Sequence, residues 1–250
     1  MGVKSMLLLG WILIFSILGS ILGLIGGIFL LWQERLTRRI SIYLISFAAG
    51  ALLGAAFLNL LPEVITREKG SILVFTLGGI LIMFLVEKYL LWYHCHNREC
   101  PVHSFTYMIL IGDGIHNFID GIIIGASFLI GIPLGIITTL AIAFHEIPQE
   151  IGDFGVLVHG GWEKRRVLLY NFLTALIAPL AAVLAYFSAP FLNKALVSLI
   201  AFAAGNFIYI AGSDLIPEIH KEYKLDKAIL QTICLGLGIL IIWLVEKVLG

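Results

Sequence analysis

Two short stretches of the sequence concentrate side chains that are able to bind a metal ion. The first contributes two acids, an imidazole and an amide: Asp113, His116, Asn117 and Asp120. The second contributes an imidazole, an amide and three acids: His145, Glu146, Gln149, Glu150 and Asp153. Imidazole suits zinc, iron, copper and nickel, whereas carboxylate oxygens also admit manganese. This mixed set predicts a site for a divalent transition-metal ion.

The spacing places each set on one face of a helix. At about 100° per residue, the first set falls within an arc of about 100° and the second within about 140°. A divalent cation between two such faces would offset the mutual repulsion of their carboxylates. Neither set contains a thiolate, so the predicted binding is exchangeable, as a carrier requires. The alternative interpretation is a proton-wired polar core or a set of interhelical hydrogen bonds.

The rest of the chain is apolar enough to place both helices in a membrane. Hydrophobic residues make up 60% of the 250 residues and charged residues 13%, and a helix needs about 20 apolar residues to cross the hydrocarbon core. Eight such runs are predicted: 6–32, 41–62, 71–92, 104–130, 133–158, 167–189, 193–216 and 228–249. The predicted fold class is therefore an all-α membrane protein of eight transmembrane helices, with the candidate ligands on the fourth and fifth. Ionisable groups there cost at least about 2.5–3.5 kcal/mol each and normally mark function.

The sequence also contains an internal repeat. Phe-Ala-Ala-Gly at 47–50 recurs at 202–205, and Gly-Ile-Leu at 79–81 recurs at 238–240. A shift of five spans is odd, so the two copies have opposite orientations, which is typical of transporters. We predict one transporter domain, 1–250, in a 3+2+3 arrangement with spans 1–3 and 6–8 as the inverted repeats. Its parts are the repeats 1–93 and 165–250, the metal-site helices 104–158 and the cytoplasmic loop 94–103.

The distribution of basic residues predicts the orientation. Of the 16 Lys and Arg residues, eleven fall in the loops after odd-numbered spans and five on the other side. Basic loops tend to stay cytoplasmic, so both termini are expected outside the cytoplasm of a multi-pass protein of the cell (inner) membrane. The net charge of zero argues against a nucleic-acid partner.

The two polar stretches resemble a known family. His-Asn-Phe-Ile-Asp-Gly at 116–121 with Ile-Gly-Ala-Ser-Phe at 124–128, and His-Glu-Ile-Pro-Gln-Glu-Ile-Gly-Asp-Phe at 145–154, are similar to the signature helices of the ZIP zinc and iron permeases. The resemblance implies eight spans and uptake of zinc, or of Fe²⁺, Mn²⁺ or Cd²⁺, with no organic cofactor. It also implies alternating access, in which spans one, four, five and six move against the other four. The oligomeric state stays open, with a homodimer as one alternative.

The resemblance also assigns roles to individual residues. Ligands of the main site would be His116, His145 and Gln149. A neighbouring second site would be formed or bordered by Asn117, Asp120 and Glu146. Gln149 stands where relatives often have Glu or His, and Ala178 stands where some members carry a carboxylate. Both departures weaken the second site, so one strong site is expected.

Further polar residues are predicted to line the transport path. They are Asp113, Glu150, Asp153, Asp214, Glu63, Glu218, His94 and His96. For Glu63, Asp214 and Glu218 the alternative is an ordinary acid near a helix end, and for the two histidines it is a solvated loop.

Two other functions fit parts of the pattern. His145-Glu146 followed by Gln149 differs by one residue from the motif in which two histidines one turn apart bind zinc and the Glu acts as a base. A membrane-embedded zinc-dependent hydrolase is therefore the alternative to a transporter. A metal-gated receptor or structural bundle is a third interpretation, which would bind zinc without moving it.

The orientation can be tested by labelling. A cysteine introduced next to Lys194, between the sixth and seventh spans, is expected to react with an impermeant thiol reagent added outside. A cysteine next to Arg165 is expected to react only after the membrane is opened. Both are measured in a background from which Cys95, Cys100 and Cys234 have been removed. The reverse labelling pattern would invert the predicted direction of uptake.

Overall fold

A computed structural model describes residues 3–67, 72–94, 102–159, 161–192 and 195–249. Every regular element in these ranges is helical, which confirms the predicted all-α class. The α-helices are α1 (Val3–Trp32), α2 (Glu34–Gly54), α3 (Leu61–Arg67), α4 (Ile72–His94), α5 (Val102–Ile130), α6 (Ile132–His159), α7 (Lys164–Ala175), α8 (Ile177–Phe187), α9 (Ala189–Leu192), α10 (Leu196–Tyr209), α11 (Ile216–Ile219) and α12 (Leu225–Leu249). Two π-helical segments, Ala55–Leu60 and Ile210–Leu215, join α2 to α3 and α10 to α11.

Seven helical stretches of the described chain are long and apolar enough to cross a membrane. The predicted span without a counterpart among them is the fifth, 133–158, which corresponds to the 28-residue helix α6. Its polar residues, His145 to Asp153, lower its mean hydropathy, whereas the similarly long α5 keeps a sufficiently apolar stretch from Leu110 to Ile130. The polar residues of the candidate site therefore make α6 too polar to be recognised as a membrane span from hydropathy alone.

Burial separates the central helices from the peripheral ones. Inside the protein, 67% of the most apolar stretch of Arg39–Arg67 is buried, against 17% for Leu225–Leu249. The exposed side chains of α12 are mostly large and apolar, such as Ile233, Leu237 and Leu244. A surface of this kind suits lipid rather than water, because hydrocarbon imposes no cost on exposed apolar groups.

Glycines allow two helix pairs to approach at backbone distance. A Cβ at Gly50 of α2 would overlap the Leu235 carbonyl oxygen of α12, and one at Gly238 would overlap the Phe47 carbonyl oxygen. Membrane helices pack without a hydrophobic driving force, so close backbone contact between small residues supplies much of their attraction. The α2/α12 pair is therefore held by van der Waals contact that a single methyl group would disturb.

The pair α4/α10 repeats this arrangement. Gly79 of α4 lies against the Phe202 carbonyl oxygen of α10, and Gly205 lies against that of Thr76. Gly50 and Gly205 are equivalent positions of the sequence repeat, and so are Gly79 and Gly238. The two π-helical segments are also equivalent, because one begins five positions after Gly50 and the other five positions after Gly205. The two halves of the sequence repeat thus also match in the position of their π-helical segments.

Each helix that carries the polar residues also makes close glycine contacts with another helix, α5 with α8 and α6 with α1. Gly121 of α5 lies against the Ala178 carbonyl oxygen of α8, with Gly125 against that of Ala182 one turn later. On the other side, Gly26 of α1 lies against the Ile147 carbonyl oxygen of α6. These contacts fix the outer faces of α5 and α6 and leave their polar faces opposed.

We expect Gly50→Ala to lower the thermal stability of the purified protein. Overpacking of this kind typically costs about 1–3 kcal/mol, which outweighs the gain of about 1 kcal/mol in helix propensity. The matched control is Gly78→Ala on α4, where an added Cβ meets nothing within 4 Å among the described residues. Unfolding in detergent followed by intrinsic fluorescence measures both, and an unchanged or higher midpoint for Gly50→Ala would contradict the close contact.

Candidate metal centre

A one-residue connection brings the two polar faces to the same level. α5 ends at Ile130 and α6 begins at Ile132, so Gly131 alone joins them. His116 and His145 lie almost equally far from Gly131 along the chain, one before it and one after it. At equal rise per residue, antiparallel helices place such residues side by side. The turn therefore determines that the two imidazoles meet.

The two imidazoles face each other closely. Nε2 of His116 lies 3.0 Å from Nε2 of His145, with the rings nearly perpendicular at 82°. A tetrahedral zinc with bonds of about 2.0–2.1 Å to nitrogen separates two nitrogen ligands by about 3.3–3.4 Å. The two nitrogens therefore need to separate by only a few tenths of an ångström to bind one ion.

The backbone selects the tautomer of His145. Its Nδ1 lies 3.2 Å from the carbonyl oxygen of Ala141, and a carbonyl oxygen only accepts hydrogen bonds. Nδ1 therefore carries the proton and donates it, which leaves the lone pair on Nε2 for a metal ion. A hydrogen bond of this kind also fixes the ring orientation, as metal-binding histidines generally require.

Two carboxylates complete this group. Asp120 Oδ2 lies 3.3 Å from Nε2 of His145 and 3.5 Å from Nε2 of His116. Glu146 Oε1 lies 3.5 Å from Nε2 of His116. Asp120 is 1% exposed and Glu146 5%. Neither Asp120 oxygen, nor Oε1 of Glu146, has a hydrogen-bond partner in the described part of the chain. We call His116, Asp120, His145 and Glu146 the histidine cluster, since their ligand atoms lie within 4.8 Å of one another.

A second group adjoins the first on the side away from Gly131. Ligand oxygens of Asp113, Glu146 and Glu150 also lie within 4.8 Å of one another. We call these three residues the carboxylate trio. Glu146 belongs to both groups, so the two groups are continuous.

The resemblance implies that Asn117, Asp120 and Glu146 form or border a second site. In the structure, the ligand atoms of Asp120 and Glu146 lie within 4.8 Å of those of both imidazoles. Asn117 donates from Nδ2 to Oδ1 of Asp113 at 2.8 Å and to the Asp113 carbonyl at 3.2 Å. The Gln149 side chain also lies beside Asp113. The two amides are therefore placed to orient the carboxylate trio.

The remaining predicted path residues lie in different surroundings. Asp153 is half-buried one turn beyond Glu150 and lies near enough to interact with it electrostatically. Glu63 pairs with Arg67, and Glu218 pairs with Lys221, in both cases at the surface. Asp214 is exposed and accepts a hydrogen bond of 2.7 Å from Ser213. His96 and the side chain of His94 lie outside the described residues.

Several supporting residues were not predicted from the sequence. The Phe207 ring packs against His145 with centroids 6.2 Å apart, and Gly23 of α1 leaves room for the Glu146 side chain. Thr174 of α7 lies beside Asp113. None has a residue type that indicates a metal site, because they act by shape or by a single hydrogen bond. Only their position in the fold reveals them.

Comparison with known protein families finds a match. The model of the family described as ZIP zinc transporter matches residues 96–246, which is more than half of the chain. The chain belongs to the ZIP family. With its seven apolar helices, this ZIP protein is a multi-pass integral membrane protein.

Individual relatives match between 58% and 81% of the chain. The mouse zinc transporter ZIP10 is 34% identical over 58% of this chain and 19% of its own length. Zinc transporter zipt-7.2 of Caenorhabditis elegans is 29% identical over 81% of this chain and 57% of its own. Zinc transporter ZIP13 of Pongo abelii is 30% identical over 79% of this chain and 64% of its own. The ZIP protein thus spans less than two thirds of each of these relatives.

We expect His116→Ala, His145→Ala and Asp120→Asn each to weaken zinc binding to the purified protein. Each substitution changes a predicted metal ligand of the histidine cluster. Loss of a residue that only hydrogen-bonds to a ligand typically lowers metal affinity by roughly 10–100-fold, so these substitutions should lower zinc affinity by more than that. His220→Ala is the matched control, because His220 is exposed near a loop. Equilibrium dialysis measures affinity, and unchanged affinity in His145→Ala would exclude it as a ligand.

Proposed function

We propose that this ZIP protein carries zinc across the membrane through the histidine cluster between α5 and α6. The observation that carries the proposal is the convergence of two Nε2 atoms and two buried carboxylates on one point. Imidazole combined with carboxylate suits zinc, and the absence of a thiolate among these ligands suits release. The relatives named above are all called zinc transporters, which supports the same substrate. Fe²⁺, Mn²⁺ and Cd²⁺ are competitors that the mixed ligand set would admit.

The proposed architecture has eight transmembrane helices in a 3+2+3 arrangement. α6 supplies the span that hydropathy alone does not identify, and α7 with α8 form one span broken after Ala175. The segments α2 to α3 and α10 to α11 each cross as one helix with a π-helical turn. The matched glycine contacts of α2/α12 and α4/α10 support an inverted repeat of residues 1–93 and 165–250.

Alternating access is the proposed mechanism. The glycine contacts join α1 to α6 and α5 to α8, and separately join α2 to α12 and α4 to α10. The protein thus contains two sets of tightly packed helices, and both metal-binding helices belong to the first set. Movement of the first set against the second would carry the bound ion without breaking the contacts that hold its ligands.

The position of the acids supports the direction of uptake. Asp113, Glu150 and Asp153 lie farther from the Gly131 turn than the histidines do. With both termini outside the cytoplasm, that turn faces outward and the acids lie on the cytoplasmic side. An ion leaving the imidazoles would therefore meet a sequence of carboxylates on its way to the cytoplasm.

A hydrolase gains no support. The matched family is one of transporters, and Glu146, which would be the catalytic base, lies 3.5 Å from the imidazole of His116 within the metal-binding group itself. A carboxylate in that place serves as a ligand rather than as a base that activates water.

The decisive experiment is metal flux into proteoliposomes that contain the purified protein. We expect zinc entry in the wild type and near-total loss in His145→Ala, since the variant lacks one imidazole and leaves carboxylates to repel each other. Glu163→Gln, at an exposed position before α7, is the matched control. Iron, manganese and cadmium are compared in parallel. Saturable zinc binding without flux in the wild type would favour a receptor and would overturn the proposal.

A further inference from the structure

Two buried hydroxyl groups near the Gly131 turn have no hydrogen-bond partner among the described residues. They belong to Ser127 of α5 and Thr138 of α6, both 0% exposed. A hydroxyl inside a helix can satisfy itself by donating to a backbone carbonyl one turn earlier. Thr139 does so, with its Oγ1 2.8 Å from the carbonyl oxygen of Gly135. Ser127 and Thr138 do not, so their hydroxyls are directed away from their own backbone.

Both residues continue the polar faces of the two site helices. Ser127 follows Asp120 by seven residues, and Thr138 precedes His145 by seven residues. Seven residues at about 100° each return a side chain to within about 20° of its starting direction. Each hydroxyl therefore lies on the helix face that carries the histidine cluster, two turns nearer to Gly131.

The two hydroxyls divide the distance between the turn and the histidine cluster. Asp120, Thr138 and Ser127 are eleven, seven and four residues from Gly131. At about 1.5 Å per residue, they lie about 16, 10 and 6 Å from the turn along the helix axes. Neither oxygen of Asp120 has a partner in the described chain either. Oxygens without a protein partner thus follow one another, roughly one turn apart, from the turn to the cluster.

The surroundings of the two hydroxyls are apolar. Ile124 of α5 and Ile142 of α6 are 1% and 3% exposed and belong to the main hydrophobic core. A hydroxyl buried among such side chains without a hydrogen bond costs free energy, which a valine of the same shape as Thr138 would avoid. Two hydroxyls in this place therefore indicate a partner that the described chain does not supply.

We propose that Ser127 and Thr138 form the approach by which a hydrated divalent cation reaches the histidine cluster from the Gly131 end. This inference rests on the proposed function, because it concerns the loading of that same site. Water molecules bound to a cation donate hydrogen bonds outward, and a hydroxyl oxygen accepts them. A hydroxyl is uncharged, so it guides the ion without holding it as a carboxylate would. Both side chains are fully buried, so the approach is closed here and opens when the helix sets move.

The hydroxyls should affect the rate of loading rather than the affinity of the site. The four ligand atoms of the histidine cluster belong to other residues. An ion that has reached the cluster therefore keeps the same ligands when either hydroxyl is removed. Only its passage loses a hydrogen-bond partner.

The experiment compares zinc flux into proteoliposomes with zinc affinity from equilibrium dialysis. In Ser127→Ala and in Thr138→Val, flux at low zinc concentration should fall by about 5-fold, the typical effect of one lost hydrogen bond, while affinity stays unchanged. Thr138→Ser keeps the hydroxyl and should transport like the wild type. The matched control is Thr139→Val, which removes the neighbouring hydroxyl that bonds to its own backbone and should leave flux unchanged.

A labelling measurement on the purified protein tests the approach without transport. In a background from which Cys95, Cys100 and Cys234 have been removed, a small positively charged thiol reagent should modify Thr138→Cys faster than Thr139→Cys. The reason is that position 139 faces α1, where the Thr139 methyl group lies against Gly19.

The outcomes separate the two proposals. Unchanged flux in Ser127→Ala or Thr138→Val would overturn the approach, and so would a loss of affinity that matches the loss of flux, since the hydroxyl would then belong to the site itself. If Thr138→Val fails to elute as a folded protein, Thr138→Ala tests the same hydroxyl. Absence of zinc flux in the wild type would contradict transport. Faster labelling of Thr138→Cys would then still support the approach, and equal labelling of the two positions would overturn it.

Discussion

Four acidic side chains lie between α5 and α6, two helices that contain no Lys or Arg. The repulsion among these carboxylates has to be balanced for the two helices to pack. The rest of the fold can be understood as the framework that keeps these groups together. Gly121 and Gly125 bring α8 against the back of α5, and Gly26 brings α1 against α6. A methyl group at any of these glycines would push a site helix outward, so packing and metal chemistry depend on the same contacts.

Much of this arrangement could be predicted from the sequence. The helical class follows from the apolar composition, and the opposition of the two polar faces follows from the short connection between the predicted spans 104–130 and 133–158. The two blocks of the sequence repeat also anticipate that Gly50 and Gly205 occupy equivalent packing positions, as do Gly79 and Gly238. These features depend on chain length and periodicity, which the sequence states directly.

The finer arrangement could not be predicted. Arcs of about 100° and 140° show that residues share a face, but they do not show which oxygen points at which nitrogen. Glu146 joins both groups, and Asn117 turns towards Asp113, because of side-chain torsions that packing decides. The π-helical segments were also missed, since the extra residue leaves no trace in the hydrophobic pattern. Hydropathy also underestimates α6, because its site residues lower the mean hydropathy of the helix.

The single residue at Gly131 has a mechanical consequence. A connection this short has no slack, so α5 and α6 cannot slide past each other by a helical turn, about 5.4 Å, without breaking their outer ends. In the proposed transport cycle, the hairpin would keep His116 and His145 in register. Release of the ion would then come from a change around the hairpin, such as the entry of water between the acids, rather than from separation of the ligands.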